Sequence, residues 1–355
     1  MRLIKFLTIF LTYIFLQGCY KCDGYLNRNF DCNPTFKTIP IDSILTSISF
    51  GSCSSQDIAQ PILNDVLNLH PDLFIYLGDN VYADTKDCST FFDDYSKLAC
   101  KSEFKNLVET IPTIATWDDH DYGKNDGGEE YPLKEQSKYV FLKFWNEPSN
   151  SNRYQHKGIY HSIYFGDDAH KVQVILLDTR TFRSCLKGPN SAYKADYSSN
   201  KTFLGEEQWN WLEQELLKPA KIRIIASSTQ FSTEHNGWET WANFPLEQLK
   251  MASLIYRTNA NGVIFLSGDV HYSELSKHKF YKCYPIYDCT ASGITELENA
   301  PRANRFRIGK AVTKINHGNL RIDWNSNPVR ITYSIFSLLG QKEFEHTISL
   351  DEIKF

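Results

Sequence analysis

Apolar stretches recur along this chain, and several stop abruptly at polar, chemically capable residues. Thr46-Ser47-Ile48-Ser49-Phe50 alternates polar and apolar positions and predicts a strand that stops at Gly51. The spacing over 58–69 is helical. Pro71-Asp72-Leu73-Phe74-Ile75-Tyr76-Leu77 is nearly all apolar, which predicts a strand buried on both faces and closed by Gly78-Asp79. A helix is predicted over 91–108, and a strand in Ile111-Pro112-Thr113-Ile114-Ala115. Residues 131–145 read as a helix opened near Pro132, and 159–165 and 172–177 as paired strands. An amphipathic helix over 206–217 is stopped by Pro219. Strands at 221–226 and 262–266 flank a helix at 246–256. The later segments 284–290, 320–324, 329–337 and 344–350 are strand-like, with Leu339-Gly340 as a turn. Strands alternating with helices imply a mixed α/β layer fold, and the late strands imply a second sheet packed on the first.

Five predicted strands end in residues suited to a metal site. They are Gly51-Ser52-Cys53, Gly78-Asp79-Asn80-Val81-Tyr82, Asp118-Asp119-His120, Thr229-Gln230 and Gly268-Asp269-Val270-His271. Ligands in open α/β sheets bind just beyond the carboxyl ends of parallel strands. A Gly-Asp after a strand is ordinarily only a turn, but five such tips in succession point to one shared site. The centre of gravity is Thr116-Trp117-Asp118-Asp119-His120-Asp121-Tyr122-Gly123, with three carboxylates and an imidazole directly after a buried strand. Desolvated carboxylates so close together repel unless a cation lies between them.

Composition narrows the picture further. The 355 residues carry a net charge of -4, which gives no electrostatic case for nucleic acid. A basic start, Met1-Arg2-Leu3-Ile4-Lys5, precedes an apolar run to Leu16, so 1–18 is expected to be a signal peptide. Leu16-Gln17-Gly18-Cys19 resembles a lipoprotein processing site, which makes Cys19 a candidate lipid anchor against plain cleavage and secretion. Residues 19–44 read as a linker or irregular arm, and 45–355 as the main domain. Nine cysteines fit an oxidising compartment. Cys88 with Cys100, Cys283 with Cys289, and Cys22 with Cys32 are near enough in sequence to pair, against buried free thiols as the alternative.

The ordered blocks resemble the calcineurin-like metallophosphatases, and more closely their PhoD-like alkaline phosphatase and phosphodiesterase branch. The similarity runs over about 48–293 and rests mainly on Thr-Trp-Asp-Asp-His-Asp-Tyr-Gly and Ser-Gly-Asp-Val-His. It implies a four-layer αββα sandwich and a two-metal site. Asp79 would bridge, with Cys53, Tyr82 and His271 completing one ion and Asp119, Gln230 and Asp269 the other. It further implies ferric iron at the first position, while an oxygen-donor shell suits Ca2+, Mg2+ or Mn2+ at the second. His120 takes the place of the catalytic histidine, and a metal-bound hydroxide is expected to attack phosphorus.

Other positions stay open at this level. Arg180 is a candidate phosphate clamp or a salt-bridge partner, and Asn125 with Asp126 a candidate phosphate or ion site or simply a turn. Trp238, Trp241 and His235 either wall an entrance or pack in the core. No second domain is expected before the core, since the arm is too short for one. The expectation is an exported, metal-dependent hydrolase of phosphoester substrates. Two alternatives remain: a phosphodiesterase acting on phospholipid or cell-wall polymer, and a surface binding protein without turnover.

Overall fold

The computed structural model describes residues 27–355. The expected signal segment and Cys19 lie outside them.

Thirteen strands among the described residues form two mixed sheets. In chain order they are β1 (Ser47–Gly51), β2 (Leu73–Leu77), β3 (Thr113–Thr116), β4 (His161–Phe165), β5 (Val172–Leu176), β6 (Ile222–Ala226), β7 (Val263–Ser267), β8 (Ser273–Lys279), β9 (Pro285–Thr290), β10 (Arg307–Val312), β11 (Asn316–Asp323), β12 (Arg330–Ser337) and β13 (Gln341–Ser349). One sheet runs β13-β12-β11-β1-β2-β3, the other β10-β8-β9-β7-β6-β5-β4. β1, β2 and β3 are parallel to one another, as are β5, β6, β7 and β9. Each parallel set therefore ends at one rim of its sheet.

Helices cover the outer faces: α1 (Ile62–Leu69), α2 (Cys88–Ala99), α3 (Ser102–Thr110), α5 (Lys134–Phe144), α6 (Gly205–Leu217) and α7 (Pro245–Arg257), with the single turn α4 (Asp119–Tyr122) at the tip of β3. The period-two rule sorts the core. In β2, Leu73, Ile75 and Leu77 point between the sheets, while Phe74 and Tyr76 meet the α1–α3 and α5 layer. Trp209, Leu212 and Leu216 of α6, with Met251, Ala252 and Ile255 of α7, close the far face of the second sheet. The result is the expected four-layer αββα sandwich, with five of its strand tips drawn from two sheets, three from the first and two from the second.

Four details differ from the sequence reading. The helix expected over 91–108 is two helices, broken at Cys100-Lys101. β8 and β10 carry too little apolar periodicity to be foreseen. The arm is no free linker over its described part: Phe30 packs on Phe92, Tyr95 and Phe144, and Lys37 N–H donates to the Val108 carbonyl. Finally, Cys100 is bonded to Cys32, not to Cys88, which excludes both the Cys88–Cys100 and the Cys22–Cys32 pairings. Cys88 is itself disulfide-bonded, whereas Cys283 and Cys289, on the neighbouring β9 region, are buried free thiols. Among the described residues no helix is long and apolar enough to cross a membrane.

Candidate active site

The rims of the two sheets meet where β1, β2, β3, β6 and β7 end. Two glycines let the chains come this close. A Cβ on Gly78 would lie 2.5 Å from Asp118 Cβ, and one on Gly268 would lie 2.2 Å from Ser52 Oγ. Beyond the tips the backbone bends sharply. Cys53, Asp79, Asp269 and His271 all hold left-handed conformations, with φ of 60°, 51°, 71° and 62°. Non-glycine residues pay roughly 1–2 kcal/mol for that region, so its recurrence at the tips of β1, β2 and β7 marks a site held against local preference.

The bends gather donor atoms into overlapping groups. Cys53, Asp79 and His271 place one ligand atom each within 4.8 Å of the others, and so do Asp79, Asp119 and His120, then Asp118, Asp119 and Asp269, then Asp119, Asp126 and Glu239. Asp79 is common to the first two groups and Asp119 to the last three. Cys53 Sγ lies 3.5 Å from Asp79 Oδ2 and 3.0 Å from Ser292 Oγ. Tyr82 joins the same set through its hydroxyl, 3.4 Å from His271 Nε2. Gln230 is fully buried. Its amide nitrogen donates to Glu274 and Thr290, and its Oε1 is left without a partner.

The electrostatics are those of an acidic nest in which carboxylates outnumber the cations. Burial, reinforced by Asp119 and Cys53, raises the Asp79 carboxyl well above its usual range. Burial and Asp118 do the same to Asp269. Burial also lifts the Cys53 thiol to about 12. Burial opposes ionisation of Asp119 too, but the Arg180 and His120 charges outweigh it and hold that carboxyl low. A soft thiol, a phenol and an imidazole on one side of Asp79, with oxygen donors on the other, fit two cations of different character. The orphaned Gln230 Oε1, a buried acceptor with nothing to accept from, is consistent with a cation ligand.

His120 is placed by two neighbours. Its Nδ1 shares a hydrogen bond of 2.5 Å with Asp84 Oδ2, and its ring lies 4.3 Å from that of Tyr82, leaving Nε2 as the other polar atom. Burial depresses its basicity, yet Asp119, Asp79 and Asp84 together raise it to about 11. Cations at Asp79 and Asp119 would remove much of that lift.

Only part of the Trp-Asp-Asp-His-Asp string faces outward. Asp121 accepts from Asn80 and from the Asp118 N–H, and so ties the β2 and β3 tips together. Trp117 Nε1 donates to Asp178. Asp118 accepts from Arg180 and Ser228. Arg180 therefore does not clamp a substrate. It is 0% exposed, and its guanidinium is spent on Asp118 and on both oxygens of Glu239 at 2.8 Å. Nor is it a surface ion pair; it is the internal counter-charge of the nest.

The open cavity at the rim measures about 110 Å³ and is lined by Asp119, His120, Asn125, Trp238, Asp269 and His271, among others. Asn125 reaches it while donating to Asp126. Trp238 faces it, but Trp241 is core, stacked on Phe203, and His235 is turned to the Tyr193 carbonyl. Sequence reading missed Glu239, Asn190 and Arg302, which also line it. None follows an apolar strand, so no pattern flagged them.

A two-sheet sandwich with an acidic, thiol-containing nest at its rim is the architecture of a metallophosphatase. The PhoD-like phosphatase family model matches residues 50–301, and the chain belongs to that family. Alkaline phosphatase D of Bacillus subtilis (strain 168) is 23% identical over 246 residues, which is 57% of this chain and 41% of that protein. The chain thus matches less than half the length of that relative. Among solved structures, PhoD superposes with a TM-score of 0.68 at 16% identity, covering 88% of this chain and 70% of that one. GAP50, described as the anchor in the inner membrane complex of Plasmodium, follows at 0.53 and 15%, covering 88% and 90%.

Proposed function

We propose that this protein is a metal-dependent phosphoester hydrolase whose site is the nest at the sheet rim. The observation that carries the reading is the sharing of Asp79 between a Cys53–His271 group and an Asp119–His120 group, buried or half-buried and drawn from the tips of β1, β2, β3 and β7. Cys53, Asp79, Tyr82 and His271 would hold one ion, a transition metal by the thiol, phenol and imidazole donors and ferric iron by the family resemblance. Asp79, Asp119, Gln230 and Asp269 would hold a second, of the calcium, magnesium or manganese kind. Bound there, the ions supply Lewis acidity and offset the charge of an anionic ester.

The remaining work falls to the chain. His120 Nε2 carries the proton that the departing alkoxide takes up, while Asp84 fixes the tautomer and the ring plane from Nδ1. Asn125 offers an amide to a phosphoryl oxygen from the cavity wall. Cys32–Cys100 fits an exported protein, so we place the enzyme outside the cytoplasm.

Elemental analysis of purified protein, with paired assays on p-nitrophenyl phosphate and bis-p-nitrophenyl phosphate, tests the reading. Iron plus a divalent ion and turnover of either ester is the expected result. In His120→Ala we expect metals retained and turnover down by roughly 10²–10⁴. Protein that binds no metal and turns over neither ester would instead favour a binding or anchoring role. Full activity in His120→Ala would remove that residue from its task.

A further inference from the structure

Among the described residues, Arg302 is an arginine whose charge no carboxylate neutralises. Its neighbours Arg305 and Arg307 are ion-paired, with Glu234 and Glu274. Arg302 has no carboxylate partner among the described residues. It is held by other means. Its guanidinium carbon sits 3.9 Å from the centre of the Trp238 ring, and Nη1 donates to the Val270 carbonyl at 3.1 Å. Arg307 Nη2 in turn donates to the Arg302 carbonyl at 2.6 Å, which pins the loop. Nε is buried and has no partner. A stacked guanidinium keeps its in-plane N–H edge free for a bidentate acceptor. Both Arg302 and Trp238 line the cavity that also contains His120, Asp269 and His271. At about 110 Å³, that cavity admits a phosphoryl group and leaves most of an organic leaving group outside.

We propose that Arg302, held flat on Trp238 at the mouth of the rim cavity, is the group that grips the phosphoryl oxygens of substrate and tunes the site towards phosphomonoesters. The proposal rests on the hydrolase reading. A monoester brings three non-bridging oxygens and two negative charges; a diester brings two oxygens and one charge. With cations taking part of that oxygen set, the fork finds a strong remaining acceptor only on the monoester, because ester oxygens accept poorly. Arg302 thus fills the role that Arg180, spent on Asp118 and Glu239, does not.

The test uses metal-loaded full-length protein, with Arg302→Met, Arg302→Lys and Trp238→Leu beside it. Inorganic phosphate affinity is read by calorimetry, and KM and kcat are read on the two nitrophenyl esters. In Arg302→Met we expect bound metal unchanged and phosphate affinity down about 10–100-fold, with the monoester KM raised to match and the diester KM moved by less than about threefold. Arg302→Lys recovers part of the loss, since it keeps the charge without the fork or the stack. Trp238→Leu shifts the same quantities in the same direction by a smaller factor, and decides the matter with Arg302→Lys if Arg302→Met fails to fold. Phosphate affinity and monoester KM within about twofold of the unmodified enzyme would overturn the clamp, and equal losses on both esters would overturn the monoester assignment. Unmodified protein that loads metal, binds no phosphate and turns over neither ester would sink the hydrolase reading itself, and the clamp with it.

Discussion

His317, in β11, is fully buried, with Nδ1 3.3 Å from the Gly318 carbonyl, Nε2 unpartnered and the ring 5.6 Å from that of Phe336. Burial keeps this imidazole neutral and holds it down to about 4. Between there and the ordinary histidine value the unfolded chain binds a proton that the folded one does not. The stabilisation is therefore complete above the unfolded value and is lost as pH falls towards 4. The full difference is about 3 kcal/mol. Urea midpoints for wild type and His317→Phe at pH 7, 5.5 and 4 should show a steeper acid loss in wild type. Parallel slopes would clear His317 of that role. Histidine thus does two opposite things in this chain. His120, beside carboxylates, is pushed towards the cation, and His317, among apolar rings, is kept neutral.

The arm, α2 and α3 pack apolar side chains of their own, Phe30, Phe92 and Phe104 among them, and carry a covalent tie besides. Cys32–Cys100 closes a sequence separation of 68 and fastens the arm to the break between two helices. The double variant Cys32→Ser/Cys100→Ser should lose about 2–4 kcal/mol, seen as a lower thermal midpoint. The kcat should hold, because no residue of the arm or of α3 lines the cavity or belongs to the acidic groups. A fall in kcat at constant stability would contradict that separation. Elements of this kind also mark where the sequence is legible. β2 and β7, buried on both faces, announce themselves as apolar runs, and their polar tips stand out against them. β8 is hidden because Ser273-Glu274-Leu275-Ser276 is buried yet polar, its Glu274 satisfied by Arg307, Gln230 and Asn304. A partner 33 residues away cannot be read from a local window. The same holds for the site. Asp119 and His120 are visible in a dense string, whereas Arg180, Glu239 and Arg302 acquire meaning only from contacts made across the fold.

At the scale of the molecule, the two sheets are joined at the rim by charge. Asp118 follows β3 of the first sheet, Arg180 follows β5 of the second, Ser228 follows β6, and Glu239 comes from the loop beyond. Removing the Arg180 guanidinium leaves Asp118 without its arginine partner, Glu239 with Arg183 alone at 3.1 Å, and Asp119 without a cation 3.9 Å away. Arg180→Met should therefore cost about 3–5 kcal/mol in chemical denaturation, part of which divalent ions restore by neutralising the same groups. Unchanged denaturation midpoints would show that the sheets cohere without it.

The left-handed turns at Cys53, Asp79, Asp269 and His271 also set what can be exchanged there. Asparagine is at home in that conformation, so Asp79→Asn and Asp269→Asn would erase a charge while the peptide keeps its course. Valine or isoleucine at the same places would resist the bend itself, and their effects would report on loop shape before coordination. Engineering of this rim is accordingly governed first by which side chains tolerate the turn, and only then by which atoms they offer.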